Sequence, residues 1–172
     1  MGSDKYDVYN PEFHAFFLDE LKDIYWAEKH LVDALEKLRD NCTTPELAQA
    51  FEKHRNETQQ HILTVEKVFG LLGEEPDTKK CEAMAGLLKE ADTILGDTEK
   101  DSFVRDAGLI LAAQKVEHYE IATYGTLAIF AGYLKNDEIV QLLRSILQNE
   151  KDTDVALTVL AENHINKLAA AE

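Results

Sequence analysis

Apolar residues recur at alternating steps of four and three along the first and last long stretches of this chain, and each stripe carries a glutamate at its midpoint. The first reads Phe13, Phe17, Leu21, Ile24, Glu28, Leu31, Leu35 and Leu38. The last reads Ile139, Leu143, Ile146, Glu150, Thr153, Leu157, Leu160, His164 and Leu168. Such spacing puts every member on one helical face, and an apolar face is directed at a core. A carboxylate on that face leaves water behind, so it must find a cation, a proton or several hydrogen bonds. The fold must therefore bring compensating groups to the middle of long helices.

Two further long stretches supply them. One carries Leu47, Phe51, His54, Thr58, Ile62, Val65 and Leu72, with Glu57 and His61 close to the same line. The other carries Phe103, Ala107, Ile110, Gln114, Glu117, Ile121, Tyr124 and Ala128, flanked by His118 and Glu120. Start and stop signals bound these helices. Asn10 with Pro11 and Glu12 opens the first, which runs to about Asp40. Thr44-Pro45-Glu46 opens the second, which stops at Leu71-Leu72-Gly73. A short amphipathic helix is expected from about Lys80 to Leu95, then a long one from about Glu99 to Leu134, and a last one, capped by Asn136, to about Ala170. Each pair of long helices is joined by a few residues and should form an antiparallel hairpin. One long crossover, holding the short helix, separates the hairpins. That pattern predicts an all-α, ferritin-like four-helix bundle over residues 10–172, preceded by a tail at 1–9.

The formal net charge of -15 argues against nucleic acid and anionic membrane surfaces as partners, since both select clustered Lys and Arg. Cys42 and Cys81 show no metal-ligand spacing and fit a reducing compartment. MGSDKYDVYN has no apolar signal core, and the run from Ile121 to Leu134 has the length of a buried helix segment rather than a span. A cytoplasmic protein is expected.

Register gathers the acids. Residues equally far from a hairpin turn lie at one height; Glu28 and Glu57 are each about 14 residues from the first turn, or about 21–23 Å along a helix. Glu120 and Glu150 are each about 15 residues from the second turn, at a similar height. Glu117 lies one turn from Glu120. Five carboxylates at one level of a dry core cannot all ionise without positive charge, and two divalent cations supply it. Oxygen ligands with a few imidazoles suit iron or manganese. Glu28, Glu57, Glu117, Glu120 and Glu150 are the candidate metal ligands. His61, Asp154, Tyr25 and His118 are candidates for ligands or for hydrogen-bond partners of ligands, each with an ordinary structural role as its alternative. His14, His30, His54 and His164 are read as structural.

The segments Asp23-Ile-Tyr-Trp-Ala-Glu28-Lys-His-Leu31, Glu57-Thr58, Gln114-Lys-Val-Glu117-His-Tyr-Glu120-Ile-Ala122, Tyr124-Gly125-Thr126-Leu127 and Glu150-Lys-Asp-Thr-Asp154 resemble the YciE/YciF family of small, stress-associated bacterial proteins. The resemblance covers about Phe13 to Lys167. It implies a rubrerythrin-like bundle, a homodimer and a dimetal centre on the same five glutamates. The wider superfamily places a histidine three residues after the glutamate on the second and last long helices. Here those positions are Gln60 and Thr153, with His61 and Asp154 one residue further on. Two functional classes follow: a stress-associated protein with an iron or manganese pair acting on oxygen or peroxide, or a non-catalytic interaction bundle whose buried polar layer binds no metal. Storage of iron in a cage ranks below both.

Overall fold

The computed structural model describes residues 10–172; the tail expected at 1–9 lies outside the described residues. Four long helices, α1 (Pro11–Asn41), α2 (Pro45–Leu72), α4 (Phe103–Tyr133) and α5 (Asp137–Leu160), form the bundle, and α3 (Glu82–Asp97) lies in the crossover. No strand occurs among the described residues, and no helix there is long and apolar enough to cross a membrane. α1 packs on α2 and α4, and α5 on α2 and α4, so the order around the bundle is α1, α2, α5, α4. α3 lies against α1 and α4 and covers the seam between them. This is the ferritin-like arrangement of two hairpins and one long crossover.

The helix ends follow the sequence signals closely. The Asn10 side chain accepts from the backbone N–H groups of Glu12 and Phe13, 3.0 and 3.3 Å away. Gly73 takes a left-handed φ of 74° after α2, and the Glu74 N–H closes on the Phe69 carbonyl. α4 starts later than expected, at Phe103, because the Ser102 hydroxyl accepts from the Arg105 N–H and sets the cap there. The last helix departs from the simple stripe. Ala161–Ile165 is a π-helical stretch leading into α6 (Asn166–Ala169). Its wider turn moves the buried line from the expected Leu160 and His164 to Ala161 and Ile165, and His164 is left exposed.

The crossover is fixed at both ends. Lys22 reaches Asp77 and Lys37 reaches Asp92, at 2.8 and 2.7 Å, and both pairs are 55 residues apart, so the segment climbs alongside α1. Near its start, the Cys81 thiol caps Met84 and lies 3.1 Å from the Tyr119 hydroxyl, which donates to Asp23. Near its end, the Arg105 guanidinium donates to the carbonyls of Leu95 and Thr98. A Cβ on Gly108 would come within 2.7 Å of Ile94, so only glycine there admits α3 this closely.

Asp106 is fully buried and accepts from the backbone N–H groups of Thr43 and Thr44, at 2.6 and 2.8 Å. One α4 carboxylate thus holds the α1–α2 turn and caps α2 at its positive end. Asp106→Ala should lower the unfolding free energy by about 2–3 kcal/mol, the range for losing buried hydrogen bonds to a charged acceptor. Urea denaturation measures this; a change below about 0.5 kcal/mol would show that the turn is held by other contacts.

Candidate metal centre

Midway along the bundle, the dry interior turns polar. Glu28 from α1, Glu120 from α4 and Glu150 from α5 are fully buried, and Glu117, His54 and His61 are at most 5% exposed. These six side chains bring ligand atoms together in two groupings. One comprises His54, Glu117, Glu120 and Glu150; the other comprises Glu28, His61 and Glu150. Within each, one ligand atom per residue lies within 4.8 Å of the others. Glu150 belongs to both. Its Oε1 lies 2.9 Å from His61 Nδ1 and its Oε2 lies 3.9 Å from His54 Nε2, so its two oxygens face the two groupings.

The positions follow from helical phase. His54, Thr58 and His61 continue the Leu47–Phe51 line on α2 at steps of four and three, and all three are buried. Glu117, Glu120 and Tyr124 do the same on α4. Tyr124 donates its hydroxyl proton to Glu28 Oε1 and so ties α4 to α1 across the site.

Most of the remaining polar atoms have no hydrogen-bond partner. They include Glu28 Oε2, Glu117 Oε2 and both oxygens of Glu120 and of Glu150. His54 Nε2 is 3.0 Å from Glu117 Oε1, and His61 Nδ1 is 2.9 Å from Glu150. Neither ring N–H points along its contact, so distance is met and hydrogen-bond direction is not. Buried polar groups are ordinarily paired. Lone pairs converging on shared points without bonding one another fit a cation, and the residues present therefore suit a metal.

Charge in the protein alone is settled by protons. Burial pushes the Glu28 carboxyl up, with His61 opposing. Burial lifts Glu117 to about 7 against the pull of His54. Glu120 rises well above the usual range through burial and three neighbouring carboxylates, Glu150, Glu28 and Glu117. Glu150 alone falls, because two imidazoles outweigh its burial. Burial depresses both histidines, but Glu117 and Glu150 raise His54 to about 9, and Glu150 and Glu28 raise His61 to about 10.

Four of the five glutamates expected from register come together. Glu57 does not join them. It is half-buried, its Oε1 is paired with Lys53 at 2.5 Å, and its Oε2 lies 3.9 Å from His54 Nδ1. His61 is in the site. Tyr25 instead donates to Glu66 at 2.7 Å, and burial raises it to about 12. Asp154 accepts from Gln114 at 3.1 Å and stands 3.4 Å from the exposed His118, so this pair lies at the α4–α5 surface outside both groupings. His54, read from sequence as structural, and Tyr124 are the additions. Both lay on their apolar stripes, which was the available signal.

A family model described as a domain of unknown function, DUF892, matches residues 12–170. The chain belongs to the DUF892 family. Protein YciF of Escherichia coli K12 is 46% identical over 157 residues, covering 89% of this chain and 92% of that protein. The crystal structure of the E. coli stress protein YciF matches with a TM-score of 0.86 at 44% identity, covering 92% of this chain and 99% of the other. YcfI of Rhodopseudomonas palustris, for which a structural role has been suggested, matches with a TM-score of 0.82 at 37% identity, covering 92% and 98%. The resemblance read from the sequence is thus shown, and this DUF892 member has the YciF-type helical fold.

Glu120 gives a direct test of the site's electrostatics. Its folded pKa is raised above the unfolded value, so its share of stability is intact below about pH 4.5 and is lost as pH rises. In chelator, Glu120→Gln should therefore unfold at a higher temperature than the wild type at pH 8, and the gap should close toward pH 5. Its limiting slope is about 1.4 kcal/mol per pH unit. Equal melting curves across that range would mean Glu120 is compensated in the metal-free protein.

Proposed function

We propose that this protein is a stress-associated, cytoplasmic carboxylate dimetal protein. It would hold two iron or manganese ions between its two hairpins and act on oxygen or peroxide. The observation that carries the reading is Glu150, whose two oxygens face two groupings of buried ligands. One ion would take His54, Glu117, Glu120 and Glu150; the other would take Glu28, His61 and Glu150. Ions of this kind supply one-electron chemistry toward oxygen species. The chain's own part is to orient and to keep dry. Tyr124 holds Glu28 by its hydroxyl, and Ile24, Leu31, Leu127 and Ile146 surround the polar layer with apolar surface. Both imidazoles must give up their protons to bind metal, so uptake releases protons and affinity rises with pH. A homodimer is part of the proposal. The uncharged 121–134 stretch of α4, with Ile129 and Tyr133 exposed, is a suitable face for it.

A second reading has its own support. His54 at about 9 and His61 at about 10 can neutralise carboxylates without any metal. A buried ionic layer of that kind fixes helix register, which agrees with the structural role suggested for the Rhodopseudomonas neighbour.

Elemental analysis of protein purified without chelator separates the two. The dimetal reading expects about two ions per chain. It also expects about 2.7 kcal/mol of added stability at a free metal concentration a hundredfold above Kd. Glu150→Ala should empty both positions, whereas Glu28→Ala should leave about one ion per chain. Sub-stoichiometric metal together with no thermal shift on adding iron or manganese would leave the structural reading standing.

A further inference from the structure

We infer that divalent cations reach the buried centre through the α2–α5 seam, past a gate made by Lys53 and Glu57; this rests on the dimetal reading above.

The fold leaves that seam as the accessible side. α3 covers the opposite seam, between α1 and α4. The void on that side that reaches Glu117 is only about 10 Å3 and is otherwise lined by leucine, alanine and valine. At the α2–α5 seam a cavity of about 40 Å3 runs inward to His54. That is room for a water-sized guest, since about 10–15 Å3 holds one. Small side chains make the opening, Ala50 on α2 and the exposed Ala156 on α5, and the buried Ala113 on α4 lines its inner end.

The polar atoms along it are placed for a cation. Lys53 and Glu57 line both this cavity and a broad surface groove of about 650 Å3 along the outer face of α2. The two voids therefore meet at that ion pair. Glu57 spans the junction: Oε1 faces Lys53 outside, and Oε2 is buried without a hydrogen-bond partner. Deeper in, Thr153 Oγ1 and His54 Nδ1 are also buried without partners. Thr153 is 8% exposed and His54 3%. Beyond His54 Nδ1 the ring's other nitrogen touches Glu117. The cavity wall is mainly apolar, and the unpartnered donors lie close behind it in order from the groove to the centre: the Glu57 carboxylate, then the Thr153 hydroxyl and His54 Nδ1, both on residues more than nine-tenths buried. Lys53 is two-thirds exposed and i, i+4 to Glu57, so its hold is weak and it can swing into water. This gives Glu57 a role apart from ligation: it strips and passes the ion.

The experiment uses chelator-treated, full-length protein and Co2+ alone, with the visible absorbance of the bound ion followed by stopped flow. Ala156→Trp places a ring over the opening from an exposed position, and Glu57→Gln removes the first carboxylate without changing its shape. Each should slow uptake by about tenfold, the lower end of what a charged, shaped opening contributes to on-rates, while the final stoichiometry matches the wild type. Lys53→Ala should quicken uptake. Unchanged rates in both Ala156→Trp and Glu57→Gln overturn the route even though metal binds. Loss of final occupancy in Glu57→Gln at an unchanged rate would make Glu57 a ligand and also overturn it. Failure of the wild type to take up Co2+ at equilibrium overturns the dimetal reading and the route together.

Discussion

Glu150 lies between two imidazoles in the driest part of the bundle, and the rest of the structure is organised around what that costs. A carboxylate removed from water needs positive charge close by, and His61 at 2.9 Å and His54 at 3.9 Å both come from α2. α2 must then pack on α5, which fixes how the hairpins meet. With α2 on that side, Glu28 on α1 and Glu117 and Glu120 on α4 close the ring from the other. Two imidazoles cannot neutralise four carboxylates, so without a cation the layer keeps protons, Glu120 most firmly. A core that must hold protons on unpartnered oxygens is a poor way to stabilise a bundle and a good way to bind cations.

How much of this the sequence revealed depended on which coordinate was asked for. Distance from a turn fixes height, and it put Glu28, Glu120 and Glu150 at one level, where the structure has them. Height does not fix angle about the helix axis. Glu57 sits at the right height, but one residue is a rotation of about 100° on a helix, so it is turned away from the buried Thr58 and toward Lys53. His54 is one turn off the expected height, yet it lies on the Leu47–Phe51–Thr58 line and so points inward. The apolar stripe was the better guide to direction, and it ran through His54.

Other features of local origin lie beyond what a stripe can tell. The π-helical stretch at Ala161–Ile165 shifts the phase of the last helix, which a fixed repeat cannot foresee. Arg105 and Asp106 are buried because they serve neighbouring helix ends, Arg105 at the carbonyls closing α3 and Asp106 at the start of α2. Charge at consecutive positions of a long helix reads as solvent-facing until the turns it must cap are known.

The division of donors among the helices bears on how the site works. Among the six clustered side chains, the imidazoles come from α2 alone and the carboxylates from α1, α4 and α5. In the protein alone, His61 reaches Glu150 on α5 at 2.9 Å and His54 reaches Glu117 on α4 at 3.0 Å, so the α2 imidazoles bridge to both helices of the other hairpin. A divalent ion held there would supply the positive charge itself and would take the imidazoles as neutral ligands. Thr153 fits the same scheme. A longer side chain there, such as the imidazole of the wider superfamily pattern, would occupy the cavity beside His54 that the small hydroxyl leaves free. The centre has its histidines on the helix that borders the open seam, and a small residue facing them across it.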